Sequence, residues 1–247
     1  MPRRRTLVQA PWLRQLALQA RRVERLDPHV RGLLWIALSG LVFVLLNAVL
    51  RSMSQQLHPM QAQFLRYLGA VIVMLPVLLR IGLRACWPRR LGGQIWRGAL
   101  HTTGLLLWFS ALPHIPLADT TAIGLLQPMF IMLGAWLFLR EAMRWERWVA
   151  ALVGFGGVMV VVGPQLSGAT GWYHLLMLAS SPVFAASLLM TKTLTRYESI
   201  NVIVLWQALT VMLFSVPLAA WYWQPLGPGM WVLVAASGVL GVAGHYC

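Results

Sequence analysis

Two apolar stretches flanking a cluster of charges constrain this chain more than any other feature. The first runs from Leu117 to Leu139, with Asp119 near its start as its one ionisable side chain; the second runs from Trp148 to Gly163 with none. Between them lie Arg140, Glu141, Arg144, Trp145, Glu146 and Arg147. At about 1.5 Å per residue, a helical arm of this kind can cross a hydrocarbon core about 30 Å thick. The pattern predicts a transmembrane hairpin whose charged hinge lies in water. Gln127-Pro128 falls near the middle of the first arm. There the imino ring removes a backbone donor and frees a carbonyl one turn back, and such a break calls for protein or a cavity beside it, not lipid.

Composition agrees with a membrane chain. Of 247 residues, 59% are hydrophobic and 11% charged, against roughly 25% charged in soluble domains. The net charge of +14 would suggest nucleic acid in a soluble protein, but here the charges lie between apolar segments, so no nucleic-acid partner is expected. Cys86 and Cys247 form no disulfide or ligand spacing. No metal or cofactor is expected; His114 and Asp119 are too isolated to suggest one.

Eight apolar segments are predicted to span: 33–50, 60–79, 98–112, 117–139, 148–163, 172–191, 200–223 and 230–246. The loops between them alternate in charge. Residues 1–31 hold eight arginines (Arg3, Arg4, Arg5, Arg14, Arg21, Arg22, Arg25 and Arg31); the second loop holds Arg80, Arg84, Arg89, Arg90 and Arg97; the fourth holds Arg140, Arg144 and Arg147; the sixth holds Lys192 and Arg196. Of the odd loops only the first carries a Lys or Arg, namely Arg51. Positive-inside logic then places the N-terminus in the cytoplasm and the chain in the cell (inner) membrane. The tail reads as a basic cytoplasmic segment orienting the first span, with a basic amphipathic helix on anionic lipid as the alternative.

The motifs around the hairpin, taken together, are specific. Pro116-Leu117-Ala118-Asp119-Thr120-Thr121-Ala122-Ile123 is followed by Gln127-Pro128, by Leu139-Arg140-Glu141-Ala142, and by Trp145, Trp148, Ala150, Gly154-Phe155 and Gly157-Val158. This order closely resembles the EamA-type domain of the drug/metabolite transporter superfamily. The resemblance carries the mid-helix proline onto Pro128, the acidic residue after it onto Glu141, the glycine helix onto Gly154 and Gly157, and an arginine early in the second helix onto Arg66. It implies a ten-helix transporter built from two inverted five-helix repeats.

A shift of 140 or 141 residues aligns the chain with itself: Phe43 falls on Phe184, Arg51 on Lys192, Arg66 on Gln207, Pro76 on Pro217, Gly98 on Gly238 and Gly104 on Gly244. Five spans per repeat would make the second copy run upside down. The expected organisation is therefore a basic tail at 1–31, a first repeat of five transmembrane helices at 32–163, and a second, incomplete repeat of three at 171–247. The fold class is an all-α polytopic membrane protein with eight transmembrane helices present of an expected ten. Because Cys247 falls opposite Leu107, truncation is expected.

The transport site is sought among polar and aromatic residues inside the spans. Arg66 stands out as an ionisable group well inside one, where a charge costs about 3 kcal/mol on insertion scales. An anion-facing or gating role competes with simple snorkelling to the interface. Gln127 and Pro128 mark the broken helix. His101 is a candidate proton relay or a packed histidine. Asn47 and Ser187 are candidate polar contacts that also suit interhelical hydrogen bonding; Trp108 and Phe184 suit either a substrate path or lipid. Ala150, Val153, Gly154 and Gly157 place small residues one turn apart for close helix packing. Glu141 reads as a solvated hinge charge, with a gate latch as the alternative.

The expected function is secondary transport or export of a small organic metabolite by alternating access. No Gly-rich phosphate loop with Lys and Ser/Thr is present. A non-transporting membrane fragment or scaffold is the alternative, and an intramembrane enzyme is disfavoured because no nucleophile and base converge in spacing. The expected partners are a small-molecule substrate and the lipid bilayer, with a homodimer left open.

Overall fold

The computed structural model describes residues 27–246. The arginines from Arg3 to Arg25, and with them the reading of the tail, lie outside the described residues, as does Cys247.

The described chain is helical throughout. Helix α1 (Pro28–Gln56) starts at Asp27, whose side chain accepts from the His29 amide at 2.8 Å. Helix α2 (Pro59–Ile81) starts at His58, whose Nδ1 faces the Met60 amide and whose ring stacks on Tyr222 at 3.8 Å. Burial lowers the His58 pKa. Proline in the first turn of each helix costs nothing, because its missing N–H would have no intrahelical acceptor there. A short 3₁₀ turn, Leu83–Cys86, leads to α3 (Leu91–Ala111). The first arm of the hairpin is two helices, α4 (Leu117–Gly124) and α5 (Gln127–Leu139). Its second arm is α6 (Trp145–Leu166). Helices α7 (Gly171–Leu194), α8 (Ile200–Trp221) and α9 (Pro228–Tyr246) follow.

Seven helical segments among the described residues are long and apolar enough to span a membrane: Gly32–Gln56, Pro59–Arg80, Leu117–Leu139, Trp145–Leu166, Gly171–Leu194, Ile200–Trp221 and Pro228–His245. The all-α polytopic class stands, but the expectation of eight transmembrane helices in a ten-helix plan of two five-helix repeats is corrected to these seven. The segment that fails is the one expected at 98–112. Its helix begins at Leu91 and so takes in Gln94 and Arg97 beside His101, Thr102 and Thr103, which lowers its apolarity. Protein supplies the cover such a helix needs: α3 packs chiefly on α7 and α8, with Gln94 and Arg97 at 0% and 1% exposure.

Helices from the two halves of the chain pair crosswise. Helix α2 lies on α8 and α9, α1 on α9, and α5 on α7. The main core forms where Leu46, Leu50, Met53, Leu65, Phe109, Ala208 and Val211 meet. Outward faces carry Ile36, Leu79, Phe138, Val160 and Trp221 in the open, an apolar surface that lipid, not water, covers.

Two pairs of close contacts exchange under the internal shift. A methyl group on Gly104 would sit 3.0 Å from the Phe184 ring, and one on Gly244 3.1 Å from the Phe43 ring. Likewise Gly98 abuts Thr210, where a methyl would lie 2.1 Å from Oγ1, and Gly238 abuts the Gly69 backbone, 2.6 Å from its carbonyl carbon. These glycines let the crossing helices touch.

The expected packing stripe on α6 does not form. Methyl groups on Gly156 and Gly157 would meet nothing within 4 Å, and one on Gly154 would meet only Met129 Sδ at 3.8 Å. Small spacing permits close approach, but no described helix makes it here.

Candidate functional site

The polar interior is built on one face of α3. Gln94, Arg97 and His101 recur at three- and four-residue spacing, so they lie along one stripe. That stripe faces α7 and α8. Arg97 Nη1 donates to Gln207 Oε1 at 2.6 Å and to Thr191 Oγ1 at 3.1 Å, and Nη2 donates to the Ile203 carbonyl. An arginine that charge counting assigns to a loop is thus among the largest fully buried side chains of the described residues.

The Arg97 contact orients the whole network. With Gln207 Oε1 accepting from the guanidinium, the amide nitrogen must face the other way. Gln207 Nε2 lies 2.9 Å from His101 Nε2, and an amide NH2 can only donate. His101 Nε2 is therefore the acceptor, shared with the Tyr67 hydroxyl at 3.0 Å. The ring proton then sits on Nδ1, facing Ser187 Oγ at 3.4 Å, and Ser187 Oγ donates in turn to the Arg97 carbonyl at 3.4 Å. The ring of hydrogen bonds closes on the residue where it began. Phe184 packs edge-on against the His101 ring at 5.2 Å.

Beside this ring is a pocket lined by Arg66, Tyr67, Gln207, Ser237, Gly241 and His245. Its interior measures about 10 Å³, the room of about one water molecule. Arg66 is 6% exposed and lies over the Tyr67 ring at 4.4 Å. Its Nε and Nη1 are buried without a hydrogen-bond partner among the described residues. A guanidinium desolvated in this way is costly unless something accepts from it.

Of the residues read from sequence, Arg66, His101, Phe184 and Ser187 come together here. Trp108 packs between the two apolar clusters with its ring 5.0 Å from Phe109. Asn47 is half-buried on α1. Gln127 is half-buried and Pro128 exposed; no hydrogen bond or ring contact among the described residues joins either to the Arg66 cluster. The break they mark is real, and it falls at Leu125–Leu126, which leaves Pro128 in the first turn of α5.

Sequence reasoning missed Arg97, Gln94, Tyr67 and Gln207 as site members. The stripe on α3 was the available signal for the first two. It also missed that Asp119 is not isolated: its Oδ2 lies 3.0 Å from His174 Nε2, with both groups buried. Glu141 is half-buried and paired, with Lys192 Nζ at 2.6 Å.

The sequence of residues 30–163 matches the model of the EamA-like transporter family. A riboflavin transporter of Rhizobium johnstonii is 34% identical over 221 residues, covering 88% of this chain and 73% of its own length. A riboflavin transporter of Vibrio cholerae is 31% identical over 216 residues, covering 85% and 72%. An S-adenosylmethionine uptake transporter of Rickettsia prowazekii is 27% identical over 223 residues, covering 90% and 74%.

Proposed function

The chain belongs to the EamA-like transporter family, and we propose that it moves a metabolite rich in oxygen acceptors past Arg66 by alternating access. It is a multi-pass membrane transporter of small metabolites and not an enzyme. The observation that carries the proposal is the pair of unpartnered donors, Arg66 Nε and Nη1, buried against a pocket. A carboxylate or ring carbonyl of a substrate would supply the missing acceptors and offset the desolvation of the charge. The pocket's small volume fits a closed state of the cycle, in which the guanidinium waits for the helices to part.

Riboflavin is the first substrate to test, since relatives covering most of this chain are named for it, with S-adenosylmethionine as the second. Saturable uptake of labelled riboflavin, in cells lacking their own carrier and expressing this gene, supports the reading. Uptake of neither compound above vector-only cells counts against it. A secondary mechanism is supported by a sequence without a Walker-type phosphate loop.

The arginines of residues 1–31 and those between α2 and α3, Arg84, Arg89 and Arg90, support an inner-membrane protein with its N-terminus in the cytoplasm. On that topology a cysteine replacing Gln56, after the first span, reacts with an impermeant thiol reagent added outside, and a cysteine replacing Arg89, after the second, does not. Labelling of Arg89→Cys from outside would reverse the orientation.

A further inference from the structure

We propose that Asp119 and His174 form a proton-binding latch, separate from the Arg66 pocket, that ties the short helix α4 to α7 only while a proton lies between them. His174, on α7, is 0% exposed and Asp119, in the first turn of α4, is 8% exposed. Both ring nitrogens of His174 face oxygens. Nδ1 lies 2.9 Å from the Thr170 carbonyl and Nε2 lies 3.0 Å from Asp119 Oδ2. A carbonyl oxygen can only accept, so Nδ1 carries hydrogen. The contact to Asp119 needs a second hydrogen, held either on Nε2 as imidazolium facing carboxylate or on Oδ2 as carboxylic acid facing imidazole. Both forms contain the same number of protons, and the pair has no net charge.

Loss of one proton breaks this arrangement. If Nε2 is left bare, its lone pair faces the carboxylate. If Nδ1 is left bare, its lone pair faces the Thr170 carbonyl and an unbalanced carboxylate stays buried. Either way one of the two hydrogen bonds becomes repulsive. Among the described residues no other side chain is hydrogen-bonded to the pair. His114 is stacked on Tyr173 at 3.9 Å, and Arg51 from α1 is engaged with the Ile115 carbonyl at 2.6 Å. Helix α6, also packed on α4, has its charges Glu146 and Arg147 in its first turn, while it is its far end, Leu166, that leads to Thr170.

The element held by the latch is suited to release. Helix α4 has eight residues and ends at the break before α5. Its other polar tie to α7 is a 3.5 Å contact from Ser181 Oγ to the Ile123 carbonyl. Proton loss therefore frees α4 from α7, and a transmembrane proton gradient gains a place to act on the bundle.

The test needs no substrate and so is independent of the transport reading. In the full chain with Cys86 and Cys247 replaced by serine, Ile123→Cys reports exposure of the buried face of α4. Its rate of thiol labelling in membranes is divided by that of Ala169→Cys, an exposed position, to cancel the thiol's own titration. Between about pH 5 and about pH 8, the ratio is expected to rise by at least about fivefold, the low end of ordinary site coupling. Adding Asp119→Asn should flatten it, because the amide donates to Nε2 at any pH. A flat ratio in the unaltered latch overturns the proposal, as does an equal rise with Asp119→Asn. If Asp119→Asn fails to insert, His114→Gln decides: a persistent rise supports the latch, and loss of the rise assigns the effect to His114 and refutes it.

Discussion

Arg97 Nη1 lies 2.6 Å from Gln207 Oε1, and this single contact between α3 and α8 sets the direction of every hydrogen bond around His101. It fixes the amide, the amide fixes the histidine tautomer, and the tautomer points the Nδ1 proton at Ser187.

Gln207→Leu is accordingly expected to do more damage than its size suggests. It removes the acceptor of a buried guanidinium and the donor to His101 together. An unsatisfied buried polar group costs about 1–3 kcal/mol, and more where a charge is involved. Thermal unfolding of the detergent-purified protein should show a clear loss of stability, part of which Gln207→Glu recovers by keeping an acceptor for Arg97. A melting curve unchanged by Gln207→Leu would mean that the network carries no energy.

Gly238→Ala tests the crosswise pairing. The added methyl meets backbone of Gly69 at 2.6 Å, so α9 and α2 have to separate, whereas Gly157→Ala on α6 meets open space. Overpacking of this kind costs about 1–3 kcal/mol. Gly238→Ala should lower the midpoint of unfolding while Gly157→Ala leaves it in place. Equal effects of the two substitutions would contradict the packing.

The sequence and the fold agree where the signal is local. Apolar length and arginine position located the hairpin, because lipid demands both, and Gln127-Pro128 located the broken helix. What failed was an argument from charge counting: Arg97 was grouped with Arg89 and Arg90 as loop, although Gln94, Arg97 and His101 together trace a helical face. Asp119 and His174 are 55 residues apart, and nothing in their flanking residues signals that α4 and α7 meet. Gly154 and Gly157 show the converse, since a spacing that permits close packing does not supply the neighbour.

Transport is proposed to depend on engagement of the substrate by Arg66. Its most direct test is the concentration dependence of riboflavin uptake in cells expressing the wild type or Arg66→Gln at equal membrane levels. A hydrogen bond to a charged group contributes about 1.5–3 kcal/mol, so KM should rise by roughly ten- to a hundredfold in Arg66→Gln, with Arg66→Lys between the two. Saturable uptake by Arg66→Gln with an unchanged KM would contradict the account.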